Sequence, residues 1–169
     1  MKLSAQEEYG LRCLLHLARC GQGESLTIPE ISRAEGLSIP NVAKLMRLLR
    51  MGGFVQSARG QSGGYTLARP AEQISVASVL ELLGGPLFGP AFCERHAGRE
   101  NTCAHVDDCS IRSLWSTVQA VLTEVLGKTT LKDLLCNEAE MTKRIEDLTG
   151  AMLPFRSAAG HAAEACESH

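Results

Sequence analysis

Apolar residues recur at three-and-four spacing along most of the chain, and strictly alternating runs are confined to one short region. The first periodic segment follows Ser4, and Glu7 stands three residues on as a capping-box partner. The predicted core face of this helix consists of Leu11, Leu14, Leu15 and Ala18. The pattern therefore predicts a mainly helical protein.

Two shorter helices follow, joined by a tight glycine turn. Thr27 caps the first of them, which runs from 28 to 35 and stops at Gly36. Ser38 caps the second, which runs to about Met51 and has a core face of Val42, Leu45, Met46 and Leu49. Two short helices around a glycine turn predict a helix-turn-helix.

The alternating runs lie directly after this pair of helices. Residues 54–57 and 65–67 flank a glycine-rich segment, 58–64, that contains Arg59. This arrangement predicts a β-hairpin with a basic tip. A helix-turn-helix followed by a hairpin is the winged-helix arrangement, in which the second helix enters the major groove and the wing reaches the backbone or the adjacent minor groove.

Charge is distributed unevenly along the chain. The whole chain has a net charge of -2, but residues 36–71 contain five basic residues and no Asp or Glu, so this stretch has a charge of +5 and the rest of the chain -7. A carboxylate-free basic stretch suits a polyanion. We therefore predict binding to a double-stranded DNA operator, with a protein-interaction role for the same module as the alternative. The expected DNA contacts are Ser38, Asn41, Lys44, Arg47, Arg59, Gln61 and Ser62.

The chain also contains seven cysteines, three of which lie close together in the sequence. Ser75 is predicted to begin a helix that ends at Leu83, and residues 86–108 are aperiodic and predicted to form a loop. Cys93, Cys103 and Cys109 follow one another here with nine and five intervening residues. Thiolates are ligands for zinc or for an iron-sulfur cluster. Three possibilities stay open: structural zinc completed by His96 or His105, a metal-free thiol switch, and a cluster with a fourth, non-Cys ligand.

The other cysteines have a simpler interpretation. Cys13 and Cys20 lie on the first helix and Cys136 on the last, where a cysteine usually serves as a small hydrophobic residue.

A long helix is predicted to begin at Cys109. Apolar residues repeat along it at close to 3.5 residues, at Ile111, Leu114, Trp115, Val118, Val121, Leu122 and Val125. Such a seam predicts a coiled coil and hence a homodimer, whereas its alternative is packing on the helix's own domain.

The predicted organisation is a winged helix-turn-helix domain (1–84), a cysteine-rich cluster-binding loop (85–109), a dimerisation helix with a final helix from Thr130 to about Cys136 (110–136), and a tail (137–169). The tail is expected to form one more helix over 138–148 and to be disordered beyond Pro154. No apolar run is long enough to span a membrane and no signal segment opens the chain, so we expect a cytoplasmic protein. No catalytic constellation is present, so an enzyme is not expected.

The opening 1–4, the segment 60–65 after Arg59, and the three-cysteine loop before a long helix resemble the Rrf-type family of bacterial regulators, which includes iron-sulfur and nitric-oxide sensors. The resemblance covers about residues 1–136. It implies a homodimeric repressor or dual regulator in which each loop holds a cluster, 4Fe-4S or 2Fe-2S. The cluster would control operator affinity in response to nitric oxide, redox state or cluster supply.

Two departures from the family pattern bear on the ligands. The gap between the first two cysteines is longer than in known members, and Arg112 stands where some members have a ligand His, which excludes a His there. The resemblance then implies an acidic fourth ligand from the other subunit, and Glu8 matches that position. Glu7, His96 and His105 are the alternatives.

Overall fold

The computed structural model of the protein describes residues 3–21, 24–58, 63–86, 88, 90–96, 103, 105 and 108–150. The elements are α1 (Ala5–Arg19), α2 (Ile28–Glu35), α3 (Ile39–Met51), β1 (Val55–Ala58), β2 (Gly64–Leu67), α4 (Val76–Gly84), α5 (Pro90–Arg95), α6 (Ser110–Lys128) and α7 (Glu138–Thr149), with 3-10 turns at Ala71–Gln73 and Asp133–Leu135. The chain divides after Cys136 into two units, and α7 belongs to the second. The mainly helical fold with one hairpin is as predicted.

Helix α1 begins with the predicted capping box, since the Glu7 amide donates to Ser4 Oγ at 3.3 Å and the Ser4 amide donates to Glu7 Oε2 at 2.8 Å. The predicted core face is displaced. Cys13, Leu14 and Leu17 are buried, whereas the other predicted residues, Leu11, Leu15 and Ala18, pack at its sides. The reason is Gly10, where a Cβ would overlap the side chain of Leu83, so α4 crosses α1 on the glycine side.

Helices α2 and α3 form the predicted helix-turn-helix. Thr27 and Glu30 make a capping box on α2, and Gly36 ends it with a φ of 65°, a backbone region that glycine adopts without strain. Ser38 occupies the N-cap position of α3, but its side chain makes no capping hydrogen bond, so that part of the prediction is wrong. The predicted core face is confirmed at all four positions, Val42, Leu45, Met46 and Leu49.

Strands β1 and β2 form the predicted antiparallel hairpin. Val55 pairs with Leu67, and Ala58 pairs with Gly64 nearest the tip. The segment before α2 extends this sheet, because Leu26 and Tyr65 exchange two backbone hydrogen bonds of 3.0 and 2.8 Å. Strand β2 is therefore attached, toward the tip end of the hairpin, to the segment that leads into α2.

Helix α4 packs against both α1 and α6. Ser75 caps α4 as predicted, since its hydroxyl accepts from the Ser78 amide. The chain after α6 returns to the start of α4, where Val76 donates to the Thr129 carbonyl at 2.9 Å and Leu131 donates to the Ile74 carbonyl at 2.8 Å. The C-terminal end of α6 is thereby fastened to the core.

Two predicted elements need correction. The segment 86–108 is not wholly a loop, because Pro90–Arg95 forms a short helix that carries Cys93; six residues are too few for a period to be recognised. The helix predicted from Thr130 to about Cys136 is only a 3-10 turn, Asp133–Leu135.

The described part of the tail agrees with the expected helix, because α7 covers Glu138–Thr149 behind an Asn137 capping box. The expectation of disorder beyond Pro154 falls outside the described residues. None of the helices in the described part of the chain has the length and apolarity needed to traverse a bilayer.

Candidate nucleic-acid interface and cysteine site

The outer face of α3 is basic and accessible. Lys44 and Arg47 are exposed, as is Ser38, whereas Asn41 is half-buried at the edge of this face. The first turn of α3 contains no acidic residue, unlike the first turns of α1 and α2. Because a helix N-terminus carries partial positive charge, a carboxylate-free first turn leaves this end favourable for an anion.

A pair of contacts to α1 fixes the turn between α2 and α3. Arg12 Nε lies 2.9 Å from Glu35 Oε2, and the other end of the guanidinium donates to the Glu35 carbonyl at 2.8 Å. The hydrogen bond to Glu35 raises the pKa of Arg12. His16 Nδ1 lies 3.5 Å from the second carboxylate oxygen of Glu35. Sequence reasoning missed this cluster because Arg12 and Glu35 lie 23 residues apart with no periodic signal.

The strands of the wing are held by contacts with neighbouring segments of the chain. A Cβ at Gly64 would lie 2.6 Å from the Leu26 carbonyl oxygen, so only glycine permits this close approach of backbones. Arg50 Nη1 donates to Ser57 Oγ at 3.3 Å and links α3 to β1. The predicted wing contacts Arg59, Gln61 and Ser62 lie outside the described residues.

The three predicted cysteine ligands lie along the chain between α4 and the first turn of α6. Cys93 is on α5, Cys103 is in the following segment and Cys109 is the N-cap of α6, and all three are half-buried free thiols. Cys109 Sγ accepts a hydrogen bond from the Arg112 amide at 3.4 Å. Thiolates are the form in which cysteine ligates metal.

This placement does not amount to a finished metal site. No group of three His, Cys, Asp or Glu side chains converges among the residues that the structure describes. The donor chemistry suits a soft metal centre, because three reduced sulfurs occur within 17 residues with one at a helix N-terminus. The ligand assignment stays a prediction.

The candidate fourth ligands differ in their surroundings. Glu7 is only 8% exposed; its Oε2 accepts from the Ser4 amide and hydroxyl at 2.8 and 2.6 Å, and its carboxylate abuts Gly84. Glu8 is exposed. The ring of His96 stacks on Phe92 with centroids 4.2 Å apart, and its Nδ1 lies 2.7 Å from the Phe92 carbonyl oxygen. His105 is exposed in the segment between Cys103 and Cys109.

The other cysteines have the structural surroundings expected for them. Cys13 is completely buried, and burial raises the pKa of its thiol to about 12. Cys20 is the C-cap of α1 and Cys136 follows the 3-10 turn Asp133–Leu135. Both are half-buried, and the Cys20 thiol donates to the His16 carbonyl at 3.4 Å.

The apolar residues of α6 form one broad stripe. Part of it faces α4, where Leu122 and Leu126 line a groove of about 450 Å³ with Leu80 and with Leu3 and Glu7 at the start of α1. The rest of the stripe is open to solvent, and its exposed residues are Ile111 (61%), Leu114 (57%), Trp115 (41%) and Val121 (55%). Helix α6 therefore packs on its own domain and still presents an exposed apolar seam, and the coiled-coil dimer stays a prediction.

A helix-turn-helix with a basic outer face, followed directly by a hairpin, defines a winged-helix DNA-binding regulator. The family model for Rrf2, described as an iron-dependent transcriptional regulator, matches residues 3–137. The chain therefore belongs to the Rrf2 family of transcription regulators.

Individual relatives agree with this family. The chain is 34% identical over 136 residues to protein rrf2 of Nitratidesulfovibrio vulgaris, covering 80% of this chain and 87% of that protein. The solved structure of IscR from T. potens has a TM-score of 0.63 at 29% identity and covers 90% of this chain and 92% of its own. The oxidized form of Staphylococcus aureus CymR has a TM-score of 0.61 at 29% identity, with coverages of 81% and 98%. The matching family is one of transcriptional regulators, so the chain is a DNA-binding transcription regulator and not an enzyme.

Proposed function

We propose that the chain is a homodimeric repressor whose operator affinity depends on an iron-sulfur cluster held by Cys93, Cys103 and Cys109, with Glu8 of the partner subunit as fourth ligand. The observation that carries this proposal is the presence of three free, half-buried thiols within 17 residues of the chain, with Cys109 as the N-cap of α6. A cluster with one weakly bound ligand would supply a centre that nitric oxide or oxidants can attack.

The exposed seam of α6 supports the homodimer. Ile111, Leu114 and Val121 are each more than half exposed, which is unusual for large aliphatic side chains on one side of a single helix. A second copy covers the same residues on both helices when a two-fold axis crosses α6 near its middle. The two α6 helices then run antiparallel.

The length of α6 supports a ligand from the partner and not from the same chain. The first turn of α1 borders the groove at Leu122, and Leu122 is 13 residues beyond Cys109, about 20 Å along a helix that rises 1.5 Å per residue. Glu8 is therefore far from Cys109 of its own chain. In the antiparallel pair, the Cys109 end of one α6 lies beside the other copy's groove and its α1.

The choice of Glu8 over Glu7 follows from what each carboxylate already binds. Glu7 closes the capping box of α1 and is buried, so using it as a ligand would leave Ser4 and the helix end without their partner. Glu8 is exposed on the next position and breaks no cap when it ligates a metal.

DNA contacts complete the proposal. Lys44 and Arg47 reach base edges or phosphates from α3, Ser38 and Asn41 contact the backbone or bases from its first turn, and the wing residues contact the minor groove.

The second candidate is a thiol switch without metal, or a zinc site that uses His96 or His105. The likeness to a CymR that has been solved in an oxidized form favours the thiol switch, because the three thiols here are free and half-buried. A switch of this kind would form a disulfide between two of them and release two electrons to an oxidant.

The test is the visible spectrum of protein purified without oxygen, together with iron, sulfide and zinc analysis. We expect broad absorbance near 400 nm with iron and sulfide in matching amounts. Cys103→Ala should give colourless protein with altered DNA affinity, whereas the control Cys136→Ala should keep its colour. Colourless wild-type protein with stoichiometric zinc, or with thiols that cycle through a disulfide, would establish the second candidate.

Glu8 is tested separately. Glu8→Ala should make the cluster more labile without changing the unfolding temperature of the apoprotein, whereas Glu7→Ala should lower that temperature because it removes the helix cap. A mixed dimer that carries Glu8→Ala on one chain and Cys103→Ala on the other distinguishes the two arrangements. Ligation from the partner predicts that its single set of three cysteines faces an intact Glu8, so the remaining cluster should be as stable as in the wild type. A labile cluster in that mixed dimer contradicts the assignment.

A further inference from the structure

The first turn of α3 presents an apolar residue where a recognition helix meets base edges. Ile39 is the first residue of α3 and is 53% exposed, and Pro40 beside it is also exposed. In helix-turn-helix proteins the N-terminal residues of the second helix contact base edges in the major groove. Side chains tilt toward a helix N-terminus, so the Ile39 side chain projects ahead of the helix at the end that enters the groove.

Apart from Ser38 at the N-cap and Asn41, the residues of this turn have no side-chain hydrogen-bonding group. Pro40 has no polar side chain, Val42 is fully buried, and Asn41 is half-buried at the edge of the face. Ile39, Ala43 and Arg47 follow one another at four-residue spacing and so lie in one row along the helix. This row is apolar at the leading end and basic farther along, and no carboxylate lies within the basic stretch 36–71.

The chemical groups that the base edges display in the major groove determine what the Ile39 side chain can contact. Base edges there are hydrogen-bond donors and acceptors with one exception, the 5-methyl group of thymine. Burying an exposed isoleucine against polar edges would lose their hydrogen bonds to water without replacement. Arg47 in the same row supplies charge complementarity to the phosphates on either side of the groove.

We propose that Ile39 is a specificity-determining residue that reads the 5-methyl group of a thymine in each operator half-site. This inference rests on the proposed DNA-binding role of α3, but not on the cluster or on the wing. It adds an apolar, shape-based contact to the polar contacts of Lys44 and Arg47.

The experiment uses a duplex that the wild-type protein selects from a random library. Each thymine of the selected site is replaced in turn by deoxyuridine, which removes the methyl group and keeps the base-pair hydrogen bonds. We expect one thymine per half-site at which affinity falls about fourfold, the fold-change that corresponds to ~0.8 kcal/mol for one buried methyl-sized group. Replacement in both half-sites should lower the affinity about sixteenfold, since the free energies of separated positions add.

Variants assign the effect to Ile39. In Ile39→Ala the affinities for thymine and deoxyuridine at that position should become equal, whereas Ile39→Val should keep most of the discrimination. Met51→Ala is the matched control, because Met51 is the exposed apolar residue at the other end of α3, 71% exposed, and its removal should leave the discrimination intact.

The possible outcomes separate this inference from the function on which it rests. If the protein selects no sequence at all, the DNA-binding proposal itself fails. If it selects a site but every thymine can be replaced without loss, or if Ile39→Ala still discriminates, the role of Ile39 is refuted and DNA binding stands. The deoxyuridine scan on wild-type protein needs no variant, so a folding defect in Ile39→Ala would not obscure the result.

Discussion

Leu131 is the residue through which the chain after α6 enters the core, and its truncation gives a quantitative prediction. Its side chain is 1% exposed and packs in the same cluster as Ile74, Val79 and Leu83. Leu131→Ala removes about three methylene equivalents, worth ~2.4 kcal/mol at ~0.8 kcal/mol each. A residual cavity adds to this, and buried Leu→Ala changes cost about 2–5 kcal/mol in total.

We therefore expect Leu131→Ala to lower the free energy of unfolding by about 3 kcal/mol. For a unit of this size the melting temperature should fall by roughly 10 °C. The measurement is urea and thermal unfolding of the apoprotein followed by circular dichroism. The backbone hydrogen bond from Leu131 to Ile74 is unaffected by the substitution, so the loss reports side-chain packing alone.

Leu114→Ala is the matched control, since Leu114 is the same residue type but 57% exposed on α6. Its effect should depend on protein concentration, because it acts through the dimer, whereas the effect of Leu131→Ala should not. A loss below about 1 kcal/mol for Leu131→Ala, the range of surface substitutions, would refute the packing argument.

Four further predictions concern the wing, α6 and the core. Arg59→Ala should reduce the slope of log affinity against log salt by about one per protomer, and an unchanged slope would remove the wing from the mechanism. Gly64→Ala should destabilise the protein by about 1–3 kcal/mol because its Cβ meets the Leu26 backbone. Gly127→Ala, where a Cβ meets open space, should instead stabilise α6 by up to about 1 kcal/mol. The raised pKa of Cys13 predicts stability that is complete below about pH 9 and is lost toward pH 12, by about 1.4 kcal/mol per unit relative to Cys13→Ala in unfolding experiments.

The sequence predicted those parts of the fold whose determinants are local. Capping boxes at Ser4 and Thr27, the glycine at 36 and the alternating runs of the hairpin each act within a few residues, and the elements formed where these signals stand. The prediction from sequence failed for short elements. The helix Pro90–Arg95 is less than two turns long and therefore too short to show a period.

Contacts between distant parts of the chain were beyond sequence reasoning for a different reason. The core face of α1 was misplaced because its orientation is set by Gly10 against Leu83, a contact that depends on where α4 crosses. The Arg12–Glu35 pair likewise depends on how two helices, α1 and α2, pack together. Local pattern indicates which residues are apolar or charged, but only the packing of elements decides which of them meet.

The cysteine site combines both kinds of determinant. The spacing of three thiols along 17 residues is local and was visible in the sequence, as was the position of Cys109 at a helix start. The different surroundings of Glu7, a buried cap residue, and Glu8, an exposed carboxylate, were not visible in the sequence. Both residues stand in the same acidic first turn. Burial of Glu7 depends on its contact with Gly84 of α4.

The energetics of the α6 seam connect the proposed dimer with the proposed ligand. Four apolar side chains are roughly half exposed there, so covering them gives about 1 kcal/mol each, or ~8 kcal/mol for two copies. Association costs about 4–15 kcal/mol, so the seam alone is near balance. The apolar groove between α1, α4 and α6 offers the additional surface, including Leu3, which is 62% exposed. In the proposed dimer, a partner α6 that also filled this groove would add to the stability given by the seam, and the same contact would bring the partner's three-cysteine segment toward Glu8.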